Sequence, residues 1–174
     1  MGRCSAADPG TNPEFLRSMK IRLISIGRTE DDYIRIGAEY FIRQLRVYNP
    51  LEEIRIKGVK PGAKEEIGKS LDMEGDKILK RLDPRDKVVL LDRQGKGMTS
   101  EAFASFLDEA LKAPVRSISF VIGSAEGVSE SIRKRSDVII SLSKMTLTHE
   151  LTRLLLLEQI YRGFTILRGK RYHR

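Results

Sequence analysis

Cysteine is almost absent from this chain of 174 residues: the single one is Cys4. It lies in a small, polar, Gly/Pro-containing first stretch, MGRCSAADPGTNPEFLRS, which reads as an expression tag over residues 1–18. The remainder, residues 19–174, then forms one domain without cysteine. Disulfides and thiolate chemistry are excluded there, and a reducing, cytoplasmic location is expected. Histidine is nearly as scarce, with only His149 and His173, and nothing in the chain resembles a metal site. No apolar run approaches the ~18 residues of a membrane span; the longest, around Leu154–Leu157, is broken by Glu158 and Arg162. A Walker-type Gly-Lys-Ser/Thr loop and a convincing Ser-His-Asp order are also missing.

What the chain does have is positive charge. Its 32 Lys and Arg against 24 Asp and Glu leave +8. The tag holds two of each sign (Arg3, Arg17, Asp8, Glu14), so the whole excess belongs to the domain. Such a balance fits a polyanion as partner, nucleic acid above all, or simply a basic surface. The excess is concentrated at the end, where Arg162, Arg168, Lys170, Arg171 and Arg174 occur with no acid among them.

Apolar periodicity alternates between strand and helix. Strands are expected at Lys20–Ile26, Glu52–Lys57, Lys87–Asp92, Ser117–Gly123 and Val138–Ser141. Helices are expected at Asp31–Tyr48, Glu65–Leu82, Thr99–Lys112, from Ser129, and from Thr148 to Arg162. Val59–Lys64 and Arg93–Gly97 read as turns. SISFVIG has no alternation and should be a central strand covered on both faces. The order implies an α/β fold with a mainly parallel sheet flanked by helices.

Two glycine turns and one polar loop could carry chemistry. GKGMTS (Gly95–Ser100) imitates a dinucleotide loop, but its third glycine is replaced and no acid follows at ribose distance, so a plain turn is the better reading. GSAEG (Gly123–Gly127) sits at the carboxyl end of the central strand, where open α/β sheets bind ligands. SLSKMTLTH (Ser141–His149) leaves the last strand and enters the last helix with Thr148 as its cap. His149 starts that helix, and Arg153 follows one turn on, able to hold a carboxylate or phosphate. The helix itself is apolar nearly all round, which suits either deep burial or a subunit interface.

FVIGSAEG followed by ISLSKMTLTHELTRLLLLEQIYRGFTILRGKRYHR resembles the ribosomal large-subunit RNA methyltransferase H family of the SPOUT class. KIRLISIG and LLDRQGKGMTS agree, and the likeness spans Met19–Arg174. It implies a homodimer whose C-terminal part forms a deep trefoil knot, against the general rarity of knots. It also implies an enzyme that methylates N3 of a pseudouridine in large-subunit (23S) rRNA on the ribosome, using S-adenosylmethionine. The family's cofactor contacts fall on Leu91, Gly123, Leu142, Ser143, Lys144, Met145, Thr146 and Leu147. Its residues around the methyl acceptor fall on His149, Arg153, Tyr172 and His173. The chain departs from the family at Ser124, usually glycine, and at Thr148, usually proline. A noncatalytic RNA-binding module, and a nucleotide-dependent oxidoreductase using the Gly95–Gly97 turn, remain as alternative readings at this point.

Overall fold

The computed structural model describes residues 19–59 and 66–169; residues 1–18, most of the Val59–Lys64 segment and residues 170–174 lie outside them. Five strands, β1 (Lys20–Ile26), β2 (Leu51–Ile56), β3 (Lys87–Gly97), β4 (Ser117–Ile122) and β5 (Val138–Ser141), form one sheet in the order β2-β1-β4-β3-β5. All four pairings are parallel. Every residue of β4 is buried, as its unbroken apolar pattern requires of the middle strand.

Because side chains alternate across a strand, the sheet feeds two cores. Ile21, Leu23, Val89, Ile118, Phe120 and Ile122 face one layer, built with α1 (Asp32–Leu45), α3 (Ser100–Lys112) and α5 (His149–Leu167). Ile24, Ile26, Val88, Leu90 and Val121 face the other, with Ile78 of α2 (Ile67–Leu79) and Ile132 of α4 (Glu130–Arg135). At the amino ends of the strands, buried Asp86 accepts hydrogen bonds from Ser117 Oγ at 2.6 Å and Arg22 Nη1 at 3.1 Å, tying β1, β3 and β4 together.

The all-round apolar character of α5 has a local cause. The helix packs against both α1 and α3, and Leu156, Leu157, Ile160 and Phe164 are fully buried. It also runs five residues beyond the expected end at Arg162, to Leu167. Gly163, a weak helix former, is buried where α5 meets Leu107 and Ala104 of α3. Thr148 and Thr99 cap their helices as expected, accepting from Leu151 N at 3.2 Å and Ala102 N at 3.1 Å. No helix among the described residues is long and apolar enough to cross a membrane.

The largest departure from expectation is in β3. The expected Arg93–Gly97 turn is strand: after a register shift between Leu91 and Lys96, Lys96 pairs with Ile140 and Gly97 with Ser141. The nucleotide-loop reading of Gly95–Gly97 fails here, since that backbone is spent on β5. A Cβ at Gly95 would lie 2.6 Å from Ile140 C and 2.8 Å from Ile139 C, so only glycine lets the two backbones approach so closely. Gly95→Ala should therefore lower unfolding free energy in urea by about 1–3 kcal/mol, the cost of overpacking a closed site. Gly97→Ala, which meets no atom within 4 Å, should change it far less.

Candidate active site

The carboxyl ends of β3, β4 and β5 open into one cleft of about 800 Å³, within the ~300–1,000 Å³ of small-molecule sites. Its walls come from Leu91–Gln94 after the paired part of β3, Ile122–Val128 after β4, and the loop from β5 to α5. Seven of the eight expected cofactor residues line it: Leu91, Gly123, Leu142, Ser143, Met145, Thr146 and Leu147. The eighth, Lys144, is exposed and does not line the cleft.

The loops are stiffened from within. Ser143 Oγ accepts from Met145 N at 2.9 Å, and Ser141 Oγ donates to the Ser143 carbonyl at 2.7 Å. In the GSAEG turn, Ser124 and Gly127 exchange backbone hydrogen bonds of 3.1 and 3.0 Å. Gly123 is buried beneath this turn, and a Cβ there would fall on the Gly127 carbonyl and the Val128 side chain. Bare backbone next to the apolar strand ends Leu91 and Ile122 is a cradle suited to the flat, partly apolar adenosine of S-adenosylmethionine. Backbone polar groups at the strand ends are at hand for its heteroatoms.

His149 lines the same cleft and is half-buried. Its ring lies against Gly27, whose φ is +93°; a Cβ there would be 3.0 Å from His149 Nε2. Glu150 Oε1 lies 3.9 Å from the same nitrogen, and its Oε2 accepts from Glu30 N at 3.2 Å. The imidazole therefore has a floor and a carboxylate beside it.

Arg153 is elsewhere. Expected to meet an acceptor group, it is 3% exposed and does not line the cleft. Its Nε and Nη2 both donate to Glu53 Oε1, at 2.7 and 2.6 Å, and Nη1 to Thr29 Oγ1 at 3.3 Å. It ties α5 to strand β2 and to the segment after β1. Tyr172 and His173 lie outside the described residues. Of the five terminal cations, Arg162 pairs with Glu158 at 2.5 Å and Arg168 lies 4.5 Å over the Tyr48 ring.

Sequence reasoning missed Gly27, Asp92, Arg133 and Glu150, all at or beside the cleft. For Asp92 a signal existed: it follows VVLL, and the rule that ligands bind at carboxyl ends of strands applies to β3 as well as β4. For Arg133 and Gly27 the signal is spatial only.

Comparison with known proteins agrees with this geometry. A family model described as "Predicted SPOUT methyltransferase" matches residues 19–173. The chain is 36% identical over 159 residues to "Ribosomal RNA large subunit methyltransferase H" of Halothermothrix orenii, covering 90% of this chain and all of that one. It is 38% identical to the protein so named in Syntrophotalea carbinolica (89% and 99% covered) and 40% to that of Lactococcus lactis (90% and 100%). Among solved structures, a probable methyltransferase from Bordetella pertussis superposes with a TM-score of 0.52 at 11% identity, covering 87% of this chain and 96% of that one, a likeness of fold alone. The chain thus belongs to the SPOUT methyltransferase family, whose enzymes take their methyl group from S-adenosylmethionine.

Proposed function

We propose that this protein methylates large-subunit ribosomal RNA at N3 of a pseudouridine, on the ribosome in the cytoplasm, as a homodimer. The observation that carries the reading is the single cleft joining the Gly123 turn, the Leu142–Leu147 loop and His149. The relatives' names support the RNA substrate. The SPOUT class implies a trefoil knot in the C-terminal part of the chain.

The bound cofactor supplies a methyl group on a positively charged sulfur. The protein's part is to place N3 in line with that methyl and to accept its proton, and positioning supplies much of the rate. Leu91, Gly123 and the 142–147 loop hold the cofactor, with Lys144 at the loop's outer edge for an RNA phosphate. His149 or His173 takes the proton, or a water does. Tyr172 stacks on the unstacked base. Lys170, Arg171 and Arg174 hold phosphates, since Arg162 and Arg168 are already engaged. Arg153 acts through α5, as a positioning residue.

Reach supports the dimeric reading. Over the 19 residues of α5, at 1.5 Å per residue, His149 and the start of the tail lie roughly 27 Å apart. The four steps from Gly169 to His173 span at most about 14 Å. In this reading Tyr172 and His173 serve the partner's cleft, and the partner's tail completes their own. The exposed Tyr33, Ile36 and Tyr40 of α1 lie on one side of that helix, and with half-buried Leu151 and Leu155 of α5 they supply apolar surface for a second copy.

Calorimetric titration should show S-adenosylmethionine binding and no NAD binding. Gly123→Ala should abolish the former by displacing its own turn, with circular dichroism unchanged; full affinity in that variant would remove the site from this cleft. Deleting residues 170–174 should leave cofactor affinity intact yet eliminate tritium transfer to ribosomes. Mixing that truncated protein with His149→Ala should restore about one quarter of wild-type activity, since half of the dimers then hold one complete site. No recovery would mean that each tail serves its own cleft. Arg153→Met should lower stability by about 1–2 kcal/mol, through loss of the charged hydrogen bonds to half-buried Glu53, which keeps Arg55 as its other partner. His149→Ala should leave the melting temperature nearly unchanged and lower turnover.

A further inference from the structure

We propose that Arg133 anchors the carboxylate at the amino-acid end of the bound cofactor, and that Asp92 holds its guanidinium in place for that task. The proposal rests on the cofactor reading above. It concerns one end of S-adenosylmethionine, the α-carboxylate, an oxyanion that calls for a cationic hydrogen-bond donor wherever the adenosine lies.

The two residues meet at the cleft. Asp92 directly follows Leu91, where the pairing of β3 with β4 ends, and Arg133 is on α4, which follows the Gly123 turn. Both line the cleft, and Arg133 Nη2 is 2.5 Å from Asp92 Oδ2. The other oxygen, Asp92 Oδ1, accepts from Gln94 N at 2.8 Å, so the carboxylate has partners on both sides. The guanidinium does not. A guanidinium offers five N–H donors in a fixed fork, and only Nη2 has a partner among the described residues. Nε and Nη1 are left for a ligand.

Its neighbours are differently placed. Lys134 reaches toward Glu130 at 4.0 Å along its own helix. Arg135 donates to the carbonyls of Asp83 and Asp86, both at 3.0 Å, on the far side of β3. Of three successive cations, only Arg133 lines the cleft. Arg93, the other arginine in the lining, is exposed and has no partner among the described residues to fix its fork.

Fold stability does not account for the pair. With Arg133 31% exposed, an isolated ion pair contributes little, and α4 is already held by fully buried Ile132. A pre-positioned fork with open donors is, in contrast, what planar recognition of a carboxylate requires. An RNA phosphate has the same oxyanion chemistry and is the competing occupant.

The test uses the full chain and two probes. S-adenosylhomocysteine carries the amino-acid end; 5′-methylthioadenosine keeps the thioether, ribose and adenine but lacks it. Arg133→Met should weaken calorimetric binding of S-adenosylhomocysteine about tenfold or more, the loss expected of charged hydrogen bonds, while methylthioadenosine binds as to wild type. Arg133→Lys should restore part of the loss, a point charge replacing a fork. Asp92→Asn should weaken S-adenosylhomocysteine alone, by a smaller factor.

Equal losses for both probes would overturn the proposal, because Arg133 would then shape the cleft as a whole. Unchanged affinity for both, with ribosome binding weakened and less salt-dependent, would assign the guanidinium to an RNA phosphate instead. If wild-type protein bound neither probe, the cofactor reading itself would fall, an outcome separate from the other two.

Discussion

The contact of β3 with β5 governs the rest of this molecule. β3 keeps its register with β4 as far as Leu91, shifts, and then runs on along Ile140 and Ser141. At that irregularity Asp92, inside β3 where its pairing with β4 ends, stands beside Gly123 after β4 and Leu142 after β5. Had the chain turned away at Arg93, the β3 wall of the cleft would be missing. The condition for the contact is the absence of one carbon atom, the Cβ that Gly95 lacks.

Around this junction the molecule separates what must be rigid from what must react. Arg153, Glu53 and Thr29 are spent on one another, fixing the first turns of α5 relative to the sheet. His149, four residues earlier, has only a glycine floor and a nearby carboxylate, and its ring remains half-open to the cleft. Charge is treated similarly at the other end of the helix. Arg162 and Arg168 are drawn onto Glu158 and Tyr48.

Much of this was readable in the sequence, for identifiable reasons. SISFVIG gave itself away as the middle strand because a strand covered on both faces needs no polar alternation. Thr99 and Thr148 were readable as caps because capping is local chemistry. The strand character of RQGKG was not readable: its glycines and charges disfavour a strand by propensity, and only the partner β5 makes it one. The last turns of α5 were hidden likewise, since Gly163 looks like a terminator until α3 is placed against it. The direction of Arg153 was concealed by distance, because its partner Glu53 stands 100 residues earlier. The pairing of Arg162 with Glu158, by contrast, has the four-residue helix spacing and could have been seen.

α5 is the last element of the chain to be made, and it fills the space between two that are made early. Until it arrives, Ala38 of α1, Phe103 and Leu107 of α3, and Phe120 of β4 lack part of their cover. A ribosome making this protein therefore carries a nascent chain whose sheet and helices are complete in sequence yet whose larger core is open. Closure waits on α5, and His149 reaches the cleft only with it. A product truncated before α5 would lack His149 and expose the groove, the kind of species that chaperones and proteases remove. A chain interrupted before α5 would thus lack a wall of the cleft together with the cover of its core.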